Sequence, residues 1–233
     1  MATVIAYVDG FNLYHGLRDR YRRRYLWLDL EHMVKRLRPK DDIAAVRYFT
    51  ALVRDEPAAL ARQQAYLDAL SVYSSNVEII LGRFQAKDVA CRQCGSVWRS
   101  YEEKETDVNI AVSLVADAAA AASDIALIIS ADSDLCPAIR TARSLNSRLG
   151  LIAAFPPRRS SFEIRSLIRA HSLLPQSICA TRFCLTPSAT RLPAVRTSDP
   201  ASGDDLGHRD GPPAEVLSAL FAPLAFIPAD IQR

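Results

Sequence analysis

Two rhythms of apolar residues alternate along the first 185 positions, and each predicts a different kind of element. Residues 2–8, 43–53, 76–85, 124–130 and 149–155 are short, nearly continuous apolar runs rich in Val, Ile and Ala, the pattern of strands buried on both faces. Between them apolar residues return at helical spacing. In 28–37 these are Leu30, Met33, Val34 and Leu37, and Pro39 ends the stretch. Helices are likewise expected over 12–24, 57–74, 104–122, 133–146 and 160–171, with Pro57 at a favoured first-turn position and Thr106 as a cap. Strands of this type, alternating with helices, imply a mostly parallel α/β sheet with helices on both faces.

Two stretches break the rhythm. Residues 87–103 form a polar insertion containing CRQCG. From about residue 186 the chain turns to Pro, Ser, Thr, Gly and Asp, the composition of a flexible linker. One domain is therefore expected over 1–185 and a tail over 186–233. Within the tail, 214–227 is apolar enough for a short helix that could dock on the domain or on a protein partner.

In a parallel sheet all strands end at one edge, and ligands bind in the crevice outside those ends. Asp9 follows directly on the first expected strand. The fourth runs into LIISADSDL, which places Asp132 and Asp134 just beyond it, and Asp107 falls in the first turn of the preceding helix. Four carboxylates from three segments are thus directed to one edge. Such a group repels itself unless protons or a divalent cation neutralise it. Carboxylate oxygens and water suit Mg²⁺ or Mn²⁺, and no pair of His residues has zinc spacing. Each residue also has a plainer use: Asp9, Asp132 or Asp134 could cap the helix that follows, and Asp107 would sit well at a helix N-terminus.

The 233 residues carry a formal net charge of +3, which permits a nucleic-acid partner without arguing for one. The positive charge is uneven. RDRYRRR at 18–24, followed by Tyr25 and Trp27, suits phosphate contact and base stacking on single strands, although short basic runs are often only a solvated helix face. Lys104, Arg158 and Arg159 lie nearer the acidic edge and are the better candidates for holding a phosphate. The apolar start lacks a basic leader and the longest apolar stretch is interrupted by Asp117 and Asp124, so neither a secretory signal nor a membrane span is expected. Five cysteines, an odd count, fit a reducing cytoplasm. Cys91 and Cys94 form C-x-x-C-G, half of a zinc ribbon. The alternatives here are a knuckle with two free thiols, a four-cysteine site with Cys179 and Cys184, or a site shared in a homo-oligomer. Cys136 reads as a core residue.

Three ordered blocks, VDGFNLYHG (8–16), EKETDVNIAVSLVADA (103–118) and LIISADSDLCPAIRTAR (127–143), resemble the NYN domain family, specifically its LabA-like branch, which is related to PIN-like nucleases. AAFPPRRSSFEIRSLIRAHS (153–172) resembles the family's final strand and helix. The resemblance implies a Rossmann-like, PIN-like fold and a metal-dependent ribonuclease. The family's metal site would fall on Asp9, Asp107, Asp132 and Asp134, with Asn12 and Ser130 matching its polar positions. His15 is expected as a packing or surface residue. The main rival is a catalytically silent RNA- or protein-binding regulatory module of the same fold. A phosphatase with Asp9 as nucleophile would want a second Asp two positions on, where Phe11 stands. Nothing beyond the DSD string supports a nucleotide-sugar transferase.

Overall fold

The computed structural model describes residues 1–179 apart from 23 and 55, so the expected tail and its 214–227 helix lie outside the described residues. The first half runs β1 (Thr3–Asp9), α1 (Gly10–Tyr21), α2 (Leu30–Leu37), β2 (Asp42–Thr50), α3 (Pro57–Tyr73) and β3 (Val77–Leu81). Then follow β4 (Arg83–Ala90), β5 (Val97–Lys104), α4 (Thr106–Ala119), β6 (Ile125–Ile129) and α5 (Cys136–Leu145). β7 (Gly150–Phe155), α6 (Phe162–Leu167), β8 (Ala170–Leu173) and α7 (Gln176–Cys179) complete the described chain. Six strands make one sheet in the order β3-β2-β1-β6-β7-β8, every pairing parallel.

The period of two along a strand divides the core between the faces. Val4, Ala6 and Val8 of β1 pack with Leu13 and Leu17 of α1, Met33 of α2 and Leu70 of α3. Ile5 and Tyr7 point the other way, toward Ile110 and Leu114 of α4, Ile139 of α5 and Ile164 of α6. A polar clamp ties α4 to the sheet. The Tyr7 hydroxyl donates to Asp117 Oδ2 at 2.5 Å, the Arg47 guanidinium bonds the same carboxylate, and Arg47 also reaches Glu78 at 3.0 Å.

Two expected elements divide. The run 76–85 breaks at Gly82: β3 joins the sheet, whereas β4 turns away and pairs antiparallel with β5 as a separate two-stranded arm. Arg83, Gln85, Lys87 and Asp88 explain the departure, because a strand covered on both faces could not bury them. The expected polar insertion is therefore the outer part of a β-hairpin. The expected helix 160–171 stops at Leu167, and β8 lies along the outer edge of β7, whose backbone groups would otherwise lack strand partners. The basic helix also ends early, at Tyr21, where Arg22 takes a positive φ of 56°.

Candidate metal centre

Asp9 ends β1 and at once caps α1: its Oδ1 accepts the Asn12 N–H at 2.9 Å. The helix can begin so abruptly because residue 10 is glycine. A Cβ there would stand 2.5 Å from the Phe49 carbonyl oxygen. The other oxygen of Asp9 accepts the hydroxyl of Ser130 at 2.7 Å, just past β6. Ser130 Oγ in turn accepts the Asp132 N–H at 3.0 Å, while Asn12 Oδ1 accepts the Ala131 N–H at 3.2 Å. Two neighbouring parallel strands are thus joined at their C-terminal ends by side chains, and the loop carrying Asp132 is held against Asp9.

Asp107 arrives from the opposite direction, in the first turn of α4. Thr106, expected as the cap, is instead the first helical residue after Glu105, and the Glu103 carboxylate accepts its N–H at 3.0 Å and also its hydroxyl. The result is a triad: Asp9, Asp107 and Asp132 each present a carboxylate oxygen, all within 4.8 Å of one another. They line a cleft of about 170 Å³ with Phe11, Asn12 and His15; Glu103 and Arg159 complete its wall.

The electrostatics record the crowding. Burial raises the Asp9 carboxyl above its ordinary value, partly offset by the hydrogen bonds from Asn12 and Ser130. Asp107 is pushed up to about 6, first by burial and then by the charges of Asp132, Asp9, Glu103 and Asp134. Arg159, the arginine lining this cleft, is already paired with Asp19 at 3.0 Å. Three hard oxygen donors short of compensating charge fit a divalent cation of the Mg²⁺ or Mn²⁺ type, with water filling the remaining positions.

The remaining sequence candidates fall elsewhere. Asp134 is exposed, and its backbone N–H donates to Asp132 Oδ1 at 2.9 Å; its carboxylate is outside the triad. Lys104 pairs with Glu102 at 3.3 Å. Arg158 lines a second cleft with Arg159, Arg165 and His171, so Arg159 stands on the wall between the two. Tyr25 is buried against Tyr21, and Trp27 packs edge-on to Tyr66, which removes Tyr25 from any base-stacking surface. Cys136 and Cys179 are buried, as the core reading expected of the first. Cys91 and Cys94 stand together at the tip of the arm, where hydrogen bonding to Ser96 and then to Cys91 lowers the Cys94 thiol to about 7.

Two cleft residues, Glu103 and Phe11, carry no site signal in the sequence, and His15, expected as a packing or surface residue, is half-buried on the cleft wall. Glu103 lies four positions before Asp107, a spacing that becomes informative only once the strand-to-helix junction at Glu105 is known. Glu105 makes that junction with a positive φ of 79°.

A parallel α/β sheet with clustered acids at its C-terminal edge is consistent with a PIN-like fold, and the comparison with known families points to a nuclease-like one. The sequence profile of the NYN domain matches residues 3–172, and the chain belongs to that family. NYN domains generally bind RNA, and the related nucleases generally use divalent metals. Among curated proteins, the chain is 28% identical over 183 residues to 6-hydroxy-3-succinoylpyridine 3-monooxygenase HspA of Pseudomonas putida. That match covers 63% of this chain and 57% of the relative, so the chain spans little more than half of that protein's length. Among solved structures, a protein of unknown function from Vibrio parahaemolyticus superposes with a TM-score of 0.54 at 16% identity, covering 75% of this chain and 93% of that one. This likeness bears on the fold alone. Among the described residues no helix is long and apolar enough to cross a membrane.

Proposed function

We propose that this protein is a metal-dependent ribonuclease of the LabA-like branch, hydrolysing phosphodiester bonds of single-stranded RNA in the cytoplasm. The observation that carries the reading is the triad of carboxylate oxygens from Asp9, Asp107 and Asp132, within 4.8 Å of one another at the C-terminal edge of the sheet. These three residues hold the cation. A Mg²⁺ or Mn²⁺ ion bound there would supply charge to polarise a phosphodiester oxygen and lower the pKa of a water molecule. Ser130 and Asn12 keep Asp9 and the Asp132 loop in register, so the donor set is arranged before substrate arrives. Arg159, half-exposed on the cleft wall, offers a guanidinium to the RNA backbone, and Arg158, in the adjoining cleft that Arg159 also lines, would hold the strand further along. Asp134, exposed and outside the triad, would act through the solvent shell of the site, orienting the attacking water.

The test is cleavage of an end-labelled single-stranded RNA by the purified full chain, with Mn²⁺, Mg²⁺ or EDTA, beside Asp132→Asn. Metal-dependent cutting that disappears in the variant is expected. Cutting that survives the substitution would refute the site. Metal binding and RNA retention without cutting would instead favour a silent regulatory module.

The relative from Pseudomonas putida supplies a second reading, monooxygenation of a hydroxypyridine, favoured by its 28% identity over 183 residues. Loss of 6-hydroxy-3-succinoylpyridine on incubation with the protein, dioxygen and a two-electron reductant such as a reduced nicotinamide would support that reading over the ribonuclease. The all-carboxylate donor set favours the phosphodiester.

A further inference from the structure

The arm built by β4 and β5 carries chemistry that the acidic cleft does not use. At its base Phe84 packs edge-on against Phe11 at 6.0 Å, and Arg83 pairs with Glu105. Its outer end is a tight knuckle. The Cys91 N–H donates to the Ser96 carbonyl at 2.8 Å, and the Gly95 N–H donates back to the Cys91 carbonyl at 2.9 Å. Gly95 takes a φ of +71°, a conformation a side chain would resist, and the C-x-x-C-G spacing therefore has a backbone reason. The turn leaves Cys94 exposed and Cys91 half-buried, both as free thiols. This is the spacing with which a hairpin presents two thiolates to one zinc ion.

Two thiolates are half of a closed tetrahedral site, and the rest cannot come from this chain's other cysteines. Cys136 and Cys179 are sealed in the two apolar cores at 6% and 0% exposure. The fifth cysteine, Cys184, is a single ligand where two are needed. Among the described residues, the acidic triad is the one group of three or more potential ligands, and it does not include the knuckle. A second copy of the chain brings an identical pair, and a two-fold axis through one ion turns two half-sites into four ligands.

The surroundings of the knuckle suit such a contact. Val97 and Trp98, immediately beyond it, are 66% and 51% exposed, large apolar groups that a facing arm would cover. Arg92 lies between the two cysteines, and Arg99 is close by in a solvent-exposed pair with Asp88 at 3.5 Å. Zinc with four thiolates carries a net negative charge, and the arginines of two tips would offset it.

We propose that Cys91 and Cys94 form half of a tetrathiolate zinc site, completed by the same two residues of a second copy, so that zinc joins two arms tip to tip. The proposal is independent of the ribonuclease reading, because none of its tests measures activity. The full-length reduced protein should carry one tightly held zinc per two chains. Light scattering should give a mass twice that of the 25.7 kDa chain. Cobalt in place of zinc should show thiolate charge-transfer absorption, which cobalt on carboxylates lacks, saturating at one ion per two chains. Chelation or Cys91→Ser should release the metal and yield monomers with an unchanged far-UV spectrum. Cys91→His, which restores a competent ligand set, should recover both metal and dimer, separating lost ligation from misfolding. One thiolate-bound ion per monomer, a dimer indifferent to chelation and to Cys91→Ser, or reduced protein that takes up neither zinc nor cobalt at its thiols would each overturn the proposal.

Discussion

Ser130 donates its hydroxyl to Asp9 Oδ2 at 2.7 Å across 121 positions of sequence, and both residues are almost completely buried. The same oxygen of Ser130 accepts the Asp132 N–H. One hydroxyl therefore sets the relation between two members of the acidic triad. Ser130→Ala should remove both bonds and leave a buried carboxylate under-satisfied, costing about 1–3 kcal/mol. Thermal unfolding should show the loss. Calorimetric titration with Mn²⁺ should show weaker binding, since Asp9 would be harder to ionise.

Asp107 gives the site a pH dependence of definite sign. Its folded-state value of about 6 lies above the ordinary 3.8, so the folded protein holds this proton more tightly than the unfolded chain does. The contribution is fully present below about pH 4 and is lost as pH rises through about 6. Metal-free protein should therefore lose this increment of stability between pH 4 and 6.5, and Mn²⁺ affinity should rise across the upper part of that range. Denaturant midpoints with and without Mn²⁺ would check both.

Asp107→Asn removes one of the mutually repelling charges. At pH 7 the metal-free variant should be at least as stable as the parent, whereas Mn²⁺ binding and RNA cleavage should be lost. A variant that unfolds more readily and still binds metal would contradict the geometry of the triad.

Arg159 separates binding from folding. Its ion pair with Asp19 is exposed and worth less than about 1 kcal/mol, so Arg159→Ala should hardly move the unfolding midpoint. Loss of a charge-assisted phosphate contact should raise the KM for RNA by about tenfold. Little change in kcat is expected. The salt dependence of RNA binding should become shallower by about one phosphate contact.

Asp117 makes the opposite case. It holds the Tyr7 hydroxyl and the Arg47 guanidinium in the clamp between α4 and the sheet. Asp117→Ala leaves both partners without that carboxylate and should cost about 1–3 kcal/mol, read by thermal unfolding. The folded variant should retain metal affinity.

Much of the architecture was legible in the chain because it depends on local pattern. The strand from Thr3 is apolar throughout since both faces are covered, and Asp9, Asp107 and Asp132 stand where a parallel sheet gathers its strand ends and helix starts. The misread elements were those for which pattern alone was ambiguous. Residues 76–85 form one β-prone stretch, yet the polar side chains from Arg83 onward send it out of the sheet as an arm. Residues 160–171 keep helical spacing, but the open edge of β7 draws Ala170–Leu173 into a strand.

The amino-acid order alone determines which segments are apolar, where caps and breakers stand, and that acids follow the first and fourth of the expected strands. These are properties of a residue and its near neighbours. Only tertiary structure decides that Ser130 bridges Asp9 and Asp132, that Glu103 and His15 enter the cleft while Asp134 stays outside it, and that Tyr25 is buried. Those outcomes depend on the rotation of packed helices and the register of non-adjacent strands, which arise from the mutual fit of segments more than a hundred residues apart.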